Sequence, residues 1–156
     1  MAASRPTLTA SDERAEIEAI YRELEQRPQL NQCTSLAQCC QFRLTGRVPM
    51  LTLGEALYAA RAVRASGRRS LPQRQDGACP LLDALGRCSI YRHRPFGCRT
   101  HFCQQAGGGY PRKKVADLIQ RLDSLDETLG GNGPRALPSY LQDLLVGRSA
   151  PQKRRI

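Results

Sequence analysis

The chain has 156 residues, of which 40% are apolar and 5% aromatic; it has no tryptophan and carries a net charge of +10. That length suits one ordinary domain with a real core, and scarce aromatics leave the core to leucine and alanine, which favours helix over strand. A content of 24% charged residues, with no apolar run near the roughly 18 residues of a spanning helix, argues against a membrane protein.

The opening MAASRPTLTASDERAEIEAI lacks the apolar stretch of a signal peptide, so a cytoplasmic location is expected. Residues 1–10 are expected to be flexible, and residues 11–146 to form a single cysteine-cluster domain. The first helix is predicted over 11–26, capped by Ser11 or Asp12, with Ile17, Ile20, Tyr21 and Leu24 on one apolar face and Pro28 as its stop. Residues 29–46 hold Cys33, Cys39 and Cys40 in a polar, irregular setting.

TLGEALYAARAVRAS reads as the next helix. Thr52 and Glu55 form a capping box, with Leu51 ahead of it as a staple residue. Leu53, Leu57, Ala60 and Val63 or Arg64 trace its faces, and Gly67 ends it. Residues 67–78 read as an exposed basic loop. CPLLDALGRCSIY suits two short pieces around a turn at Leu85-Gly86, a small hairpin. Pro95 and Gly97 predict irregular backbone just before Cys98.

A long helix is predicted over 112–129 from Val115, Leu118, Ile119, Leu122, Leu125 and Leu129, ended by Gly130, Gly131 and Gly133. Leu137, Tyr140, Leu141, Leu144 and Leu145 mark a last helix, started near Pro134 or Pro138. Residues 147–156 are expected to form a flexible basic tail. The fold class is therefore mainly α: a small single domain with cysteine-bearing irregular segments and one short hairpin.

None of the seven cysteines falls on a predicted helix face. In a reducing compartment such thiols suit metal ligation or catalysis better than disulfides. Packed thiols, incidental disulfides and a reactive thiol stay open as readings. Zinc and iron–sulfur clusters commonly take four thiolates. Cys33, Cys39 and Cys40 supply one half of such a set, and Cys88, Cys98 and Cys103 the other. The adjacent pair Cys39-Cys40 needs a turn to point both side chains one way. Neither two CxxC zinc knuckles nor the tandem run of bacterial ferredoxins is present.

The segment CSIYRHRPFGCRTHFC, residues 88–103, also contains both histidines. His93 and His101 are candidates to ligate zinc or to donate a supporting hydrogen bond. Arg94 and Arg99 would offset the negative charge of a thiolate centre. Tyr91 would lay its ring across the site and donate its hydroxyl to a carbonyl. Thr52 and Glu55 read as helix caps. Asp76 and Asp83 form no fixed carboxylate pair. Cys98 with His93 or His101 is the one nucleophile–base candidate for a thiol-based redox enzyme.

Three segments are similar to the YkgJ-type CxxCxxCC cysteine-cluster family, described as zinc- or iron-chelating. They are Cys33-Thr-Ser-Leu36-Ala-Gln-Cys39-Cys40, then Leu51-Thr52-Leu-Gly-Glu55, then Gly86-Arg-Cys88-Ser-Ile90-Tyr91-Arg-His-Arg94-Pro95-Phe-Gly-Cys98-Arg99. Cys79 resembles the cysteine that commonly precedes the third segment. The likeness covers about residues 30–105, and it departs at Leu36, where the family signature has a cysteine.

The resemblance implies a protein that chelates zinc or iron through four of Cys33, Cys39, Cys40, Cys79, Cys88, Cys98 and Cys103, with Cys88 and Cys98 first. The adjacent cysteines and arginine-rich surroundings favour an iron–sulfur cluster over a zinc knuckle. An enzyme acting on its own is not the expectation. An acidic protein or a redox partner would suit the positive charge. The alternative is a metal-stabilised interaction module with a basic surface. Outside Arg68-Arg69 and the tail QKRRI the charge is scattered, and no aromatic-interleaved patch suits nucleic acid.

Overall fold

The computed structural model describes residues 7–27, 40–100 and 110–148. Helix α1 (Ala10–Gln26) is capped by Thr9 rather than by Ser11 or Asp12. Thr9 Oγ1 accepts from the Asp12 amide at 3.1 Å, and the Asp12 carboxylate accepts from the Thr9 amide at 3.0 Å. Asp12 is thus the returning half of the box, one turn inside the helix. Ile17, Ile20, Tyr21 and Leu24 are buried, as their spacing predicts.

A single turn, α2 (Phe42–Thr45), leads to strand β1 (Met50–Leu51). Strand β1 pairs antiparallel with β2 (Arg135–Ala136), Met50 opposite Ala136. Helix α3 (Leu53–Ala65) starts at the predicted Thr52–Glu55 box. The short α4 (Phe96–Thr100) follows Pro95, α5 (Ala116–Leu129) ends on left-handed Gly130, and α6 (Leu137–Leu145) carries Pro138 in its first turn. The chain is a small, mainly α-helical single domain with one short β pair.

Helix α3 organises the rest because it touches α1, α5 and α6. It separates two apolar clusters. One joins Ala56, Ala59, Ala60 and Val63 to Leu81, Leu82, Ile90 and α6. The other joins Tyr58 and Phe96 to α1 and α5. A helix packed on several sides buries more than one stripe, so Tyr58, Ala56 and Ala59 are buried while Leu57 is only half-buried. The stripe expected through Leu57 is corrected accordingly.

Three other expectations change. The segment 67–78 is not simply an exposed loop: Leu71 is buried, and its amide donates to the Gln142 side chain at 2.8 Å. The predicted hairpin reduces to one bridge, Leu82 with Cys88. Its turn is closed by the Asp83 carboxylate, which accepts from the Leu85 and Arg87 amides at 2.9 Å each, and by Gly86 at φ 74°. The predicted long helix begins at Ala116, preceded by a single 3-10 turn at Arg112–Lys114.

Ion pairs tie α1 to its neighbours. Glu13, buried, accepts from both terminal nitrogens of Arg61 on α3 at 3.1 and 2.8 Å. Arg121 on α5 bridges Glu16 and Glu23 of α1. Arg27 grips Asp117 and holds its carboxyl down to about 2.

Helix α3 comes close to its neighbours at Gly54. A Cβ there would lie 2.9 Å from Leu125 Cδ2 and 3.2 Å from Ile17 Cδ1. Next to it, the buried Asp126 accepts from the Leu53 amide at 2.7 Å and from the Gly133 amide at 2.9 Å. Gly54→Val should therefore overpack the meeting point of α1, α3 and α5 and cost about 2 kcal/mol. Urea unfolding of the two proteins measures this, and an unchanged midpoint would refute the close packing.

Candidate functional site

A cleft of about 440 Å³ opens between the two clusters. Cys40, Cys79 and Cys98 line it, brought from three separate stretches of chain. Cys40 ends the first signature segment, and its carbonyl accepts from the Cys79 amide at 2.7 Å. That bond sets two cysteine-bearing segments side by side. Cys79 is a buried thiol within the first cluster, and Cys98 is half-buried on α4. The expectation that no cysteine lies on a helix is thus corrected, because Pro95 starts a helical turn instead of forbidding one. Its carbonyl accepts from the Cys98 and Arg99 amides at 3.0 and 3.1 Å.

Cys88 stands elsewhere. It lies on the bridged turn, packed against the first cluster, and does not line the cleft. Cys33, Cys39, Cys103 and His101 lie outside the described residues, as does Leu36. Among the described residues, no three His, Cys, Asp or Glu side chains converge closely enough to hold a metal ion. Thiolate is the donor that soft ions take, so the donor type along the cleft suits zinc or iron while the described placement does not form a site.

Glu55 has a larger role than capping. It is buried on the cleft wall, with both oxygens engaged. Oε2 accepts from the Thr52 amide at 3.0 Å and the Thr52 hydroxyl at 2.9 Å. Oε1 accepts from the Phe96 amide at 2.8 Å and the Tyr21 hydroxyl at 3.4 Å. Burial pushes the carboxyl above its ordinary range. Burial, followed by the charge of Glu55, raises the Tyr21 phenol well above its own, which keeps it a donor.

Arg99 is also buried, which sequence reasoning did not decide. It donates to the carbonyls of Arg94 at 2.8 Å and Arg92 at 2.7 Å, and to Glu25 at 2.9 Å. Its guanidinium lies 4.1 Å above the Tyr21 ring. Burial lowers its pKa. Arg94 lies 3.9 Å over the Tyr91 ring, and Tyr91 itself is 46% exposed. Neither arginine lines the cleft, nor does Tyr91. These three shape the loop into α4. His93 rests against the Tyr58 ring at 5.3 Å, also away from the cleft lining.

The cations that line the cleft are Arg47 and Arg112, and Asp123 lines it as well. Nothing in their local sequence marks them, since they lie outside every matched motif. Phe42, Phe96 and Tyr110 complete an apolar and aromatic surround.

A family model described as "CxxCxxCC: Putative zinc- or iron-chelating domain" matches residues 32–117, more than half of the chain. No curated protein and no solved structure matches it. The matched stretch contains both ends of the Glu55–Phe96 hydrogen bond.

Glu55→Gln tests that fastening. A glutamine keeps one acceptor oxygen, so the backbone amide of Thr52 or of Phe96 must lose its partner. The hydroxyls can turn and accept, but an amide cannot. The loss should be about 2 kcal/mol, with faster hydrogen exchange at the orphaned amide. Unchanged stability and exchange would remove Glu55 from this role.

Proposed function

The chain belongs to the CxxCxxCC family, and on that premise we propose that it chelates zinc or iron through cysteine thiolates facing the cleft. The observation that carries this reading is that Cys40, Cys79 and Cys98 all line one cleft. Residues 40, 79 and 98 are distant in sequence, and the Cys40–Cys79 backbone bond and the Glu55–Phe96 bond hold their segments in register.

Four thiolates complete such a centre. We draw the four from Cys33, Cys39, Cys40, Cys79, Cys88, Cys98 and Cys103, those that line the cleft first. The adjacent Cys39-Cys40 pair favours iron, held as an iron–sulfur cluster of a YkgJ-type protein, over a zinc knuckle. A bound zinc ion would supply a structural clasp, and a cluster would supply one-electron chemistry. The thiols, in a reducing cytoplasm, stay available for ligation. The aromatic and apolar surround of the cleft would keep water from them.

Elemental analysis and absorption spectra of protein purified without oxygen test the assignment. Iron and sulfide in comparable amounts, with a broad visible band that bleaches on reduction, are expected. Cys98→Ser and Cys79→Ser should each lower the bound metal by more than half, while folding is retained by circular dichroism. Stoichiometric zinc without colour would replace the cluster by a structural site. Metal-free protein that folds normally would overturn the proposal.

A further inference from the structure

We propose that Cys40 and Cys79 are a redox-responsive pair that closes into an intramolecular disulfide when a small disulfide such as oxidised glutathione is present. The pair needs no third donor, so it stands independently of the metal reading above. The Cys79 amide donates to the Cys40 carbonyl at 2.7 Å. With standard covalent geometry that bond keeps the two Cα atoms within about 6.6 Å whatever its angles, inside the roughly 4.4–6.8 Å that disulfides span. Both cysteines line the same cleft; Cys79 belongs to the first cluster and Cys40 packs against it. Their segments are fixed on either side of the pair. The Asp76 carboxylate accepts from the Ala78 amide at 3.1 Å, and the Cys79 carbonyl accepts from the Leu82 amide at 3.2 Å. After Cys40, the Gln41 carbonyl accepts from the Thr45 amide at 3.0 Å as α2 begins. Thiols presented in this way react as neighbours, not as groups that must first find each other.

The reaction is a thiol–disulfide exchange in two stages. Cys40 is half-buried and Cys79 only 4% exposed, so the small disulfide meets Cys40 first. The Cys40 thiolate attacks one of its sulfurs, a mixed disulfide forms, and one small thiol leaves. The Cys79 thiolate then attacks the Cys40 sulfur, and the second small thiol leaves. The protein gives up two electrons and two protons, and the reagent takes both to become two thiols. Any hydrogen bond that either thiol makes is weak and gives way to the new S–S bond. The product closes the loop from residue 40 to residue 79, which carries α2, β1 and α3. The backbone bond that sets the span joins Cys79 to Cys40, not to Cys98 on α4 or to Cys88 outside the cleft lining.

The test is incubation of the full-length protein, reduced and then freed of reductant, with oxidised glutathione in a chelating buffer. Remaining thiols are alkylated, and a digest is mapped by tandem mass spectrometry. In most molecules the peptide holding Cys79 should be joined to the one holding Cys40, with fragment ions placing the bond on Cys40. Dithiothreitol should release it. Cys79→Ser should stop at the mixed disulfide on Cys40, and Cys40→Ser should leave Cys79 reduced. Cys88→Ser, folded as the wild type by circular dichroism, should form the bond to the same extent. A wild type whose Cys79 stays open to alkylation, or is joined to any other cysteine, would overturn the inference. Protein that forms the bond yet binds neither zinc nor iron would uphold it while the metal reading fell.

Discussion

Glu55 takes a carboxyl group out of water at the point where three stretches of chain meet, and four donors converge on it. Burial of such a group without partners would cost several kcal/mol. The donors come from the start of α3, from α1 and from the first residue of α4, so the cost is offset only when all three are in place. Asp126 repeats the arrangement one residue away, accepting from the Leu53 amide. The N-terminus of α3 thus receives two buried carboxylates, which suits the positive end of a helix. The helix that separates the two clusters is anchored at this end, and the cleft with its thiols lies beside the anchor.

The position of Arg99 follows from the same anchor. Once the Phe96 amide is held by Glu55, the preceding loop must turn sharply, and its carbonyls at 92 and 94 point inward. A planar guanidinium with five donors can satisfy both carbonyls and an acid at once. Arg99 does so while stacking on Tyr21, whose hydroxyl reaches Glu55. An arginine next to a candidate ligand in sequence is here part of the frame that presents the ligand. The cations that face the cleft come from elsewhere.

Much of the helical frame was legible because it rests on local rules. The Thr52–Glu55 box, the glycine stop after Leu129 and the three- and four-residue spacing in α1 and α5 each predict an observed feature. The site was legible only in part. The motif put Cys88 and Cys98 first and Cys79 behind them, whereas Cys79 and Cys98 line the cleft and Cys88 does not, because spacing along a chain does not report which way a turn faces. Arg47, Arg112 and the second bond of Glu55 arise from contacts between distant segments, and no periodicity encodes those. The motif position of Tyr91 suggests a ring laid across the site, yet the turn at 91–93 leaves it at the surface under Arg94 and off the cleft lining.

The glycine-rich link after α5 looks like an ordinary spacer, the kind of surface loop where extra residues are readily accommodated. Its geometry says otherwise. A Cβ on Gly131 would collide with the Asp126 carboxylate, and the Gly133 amide is held by the same carboxylate. The link wraps the side chain that caps α3, so its length and composition belong to the anchor. For anyone attaching a fluorophore to the chain, a receptive place is Leu85, 78% exposed at the tip of its turn, with Gly86 at φ 74° left in place.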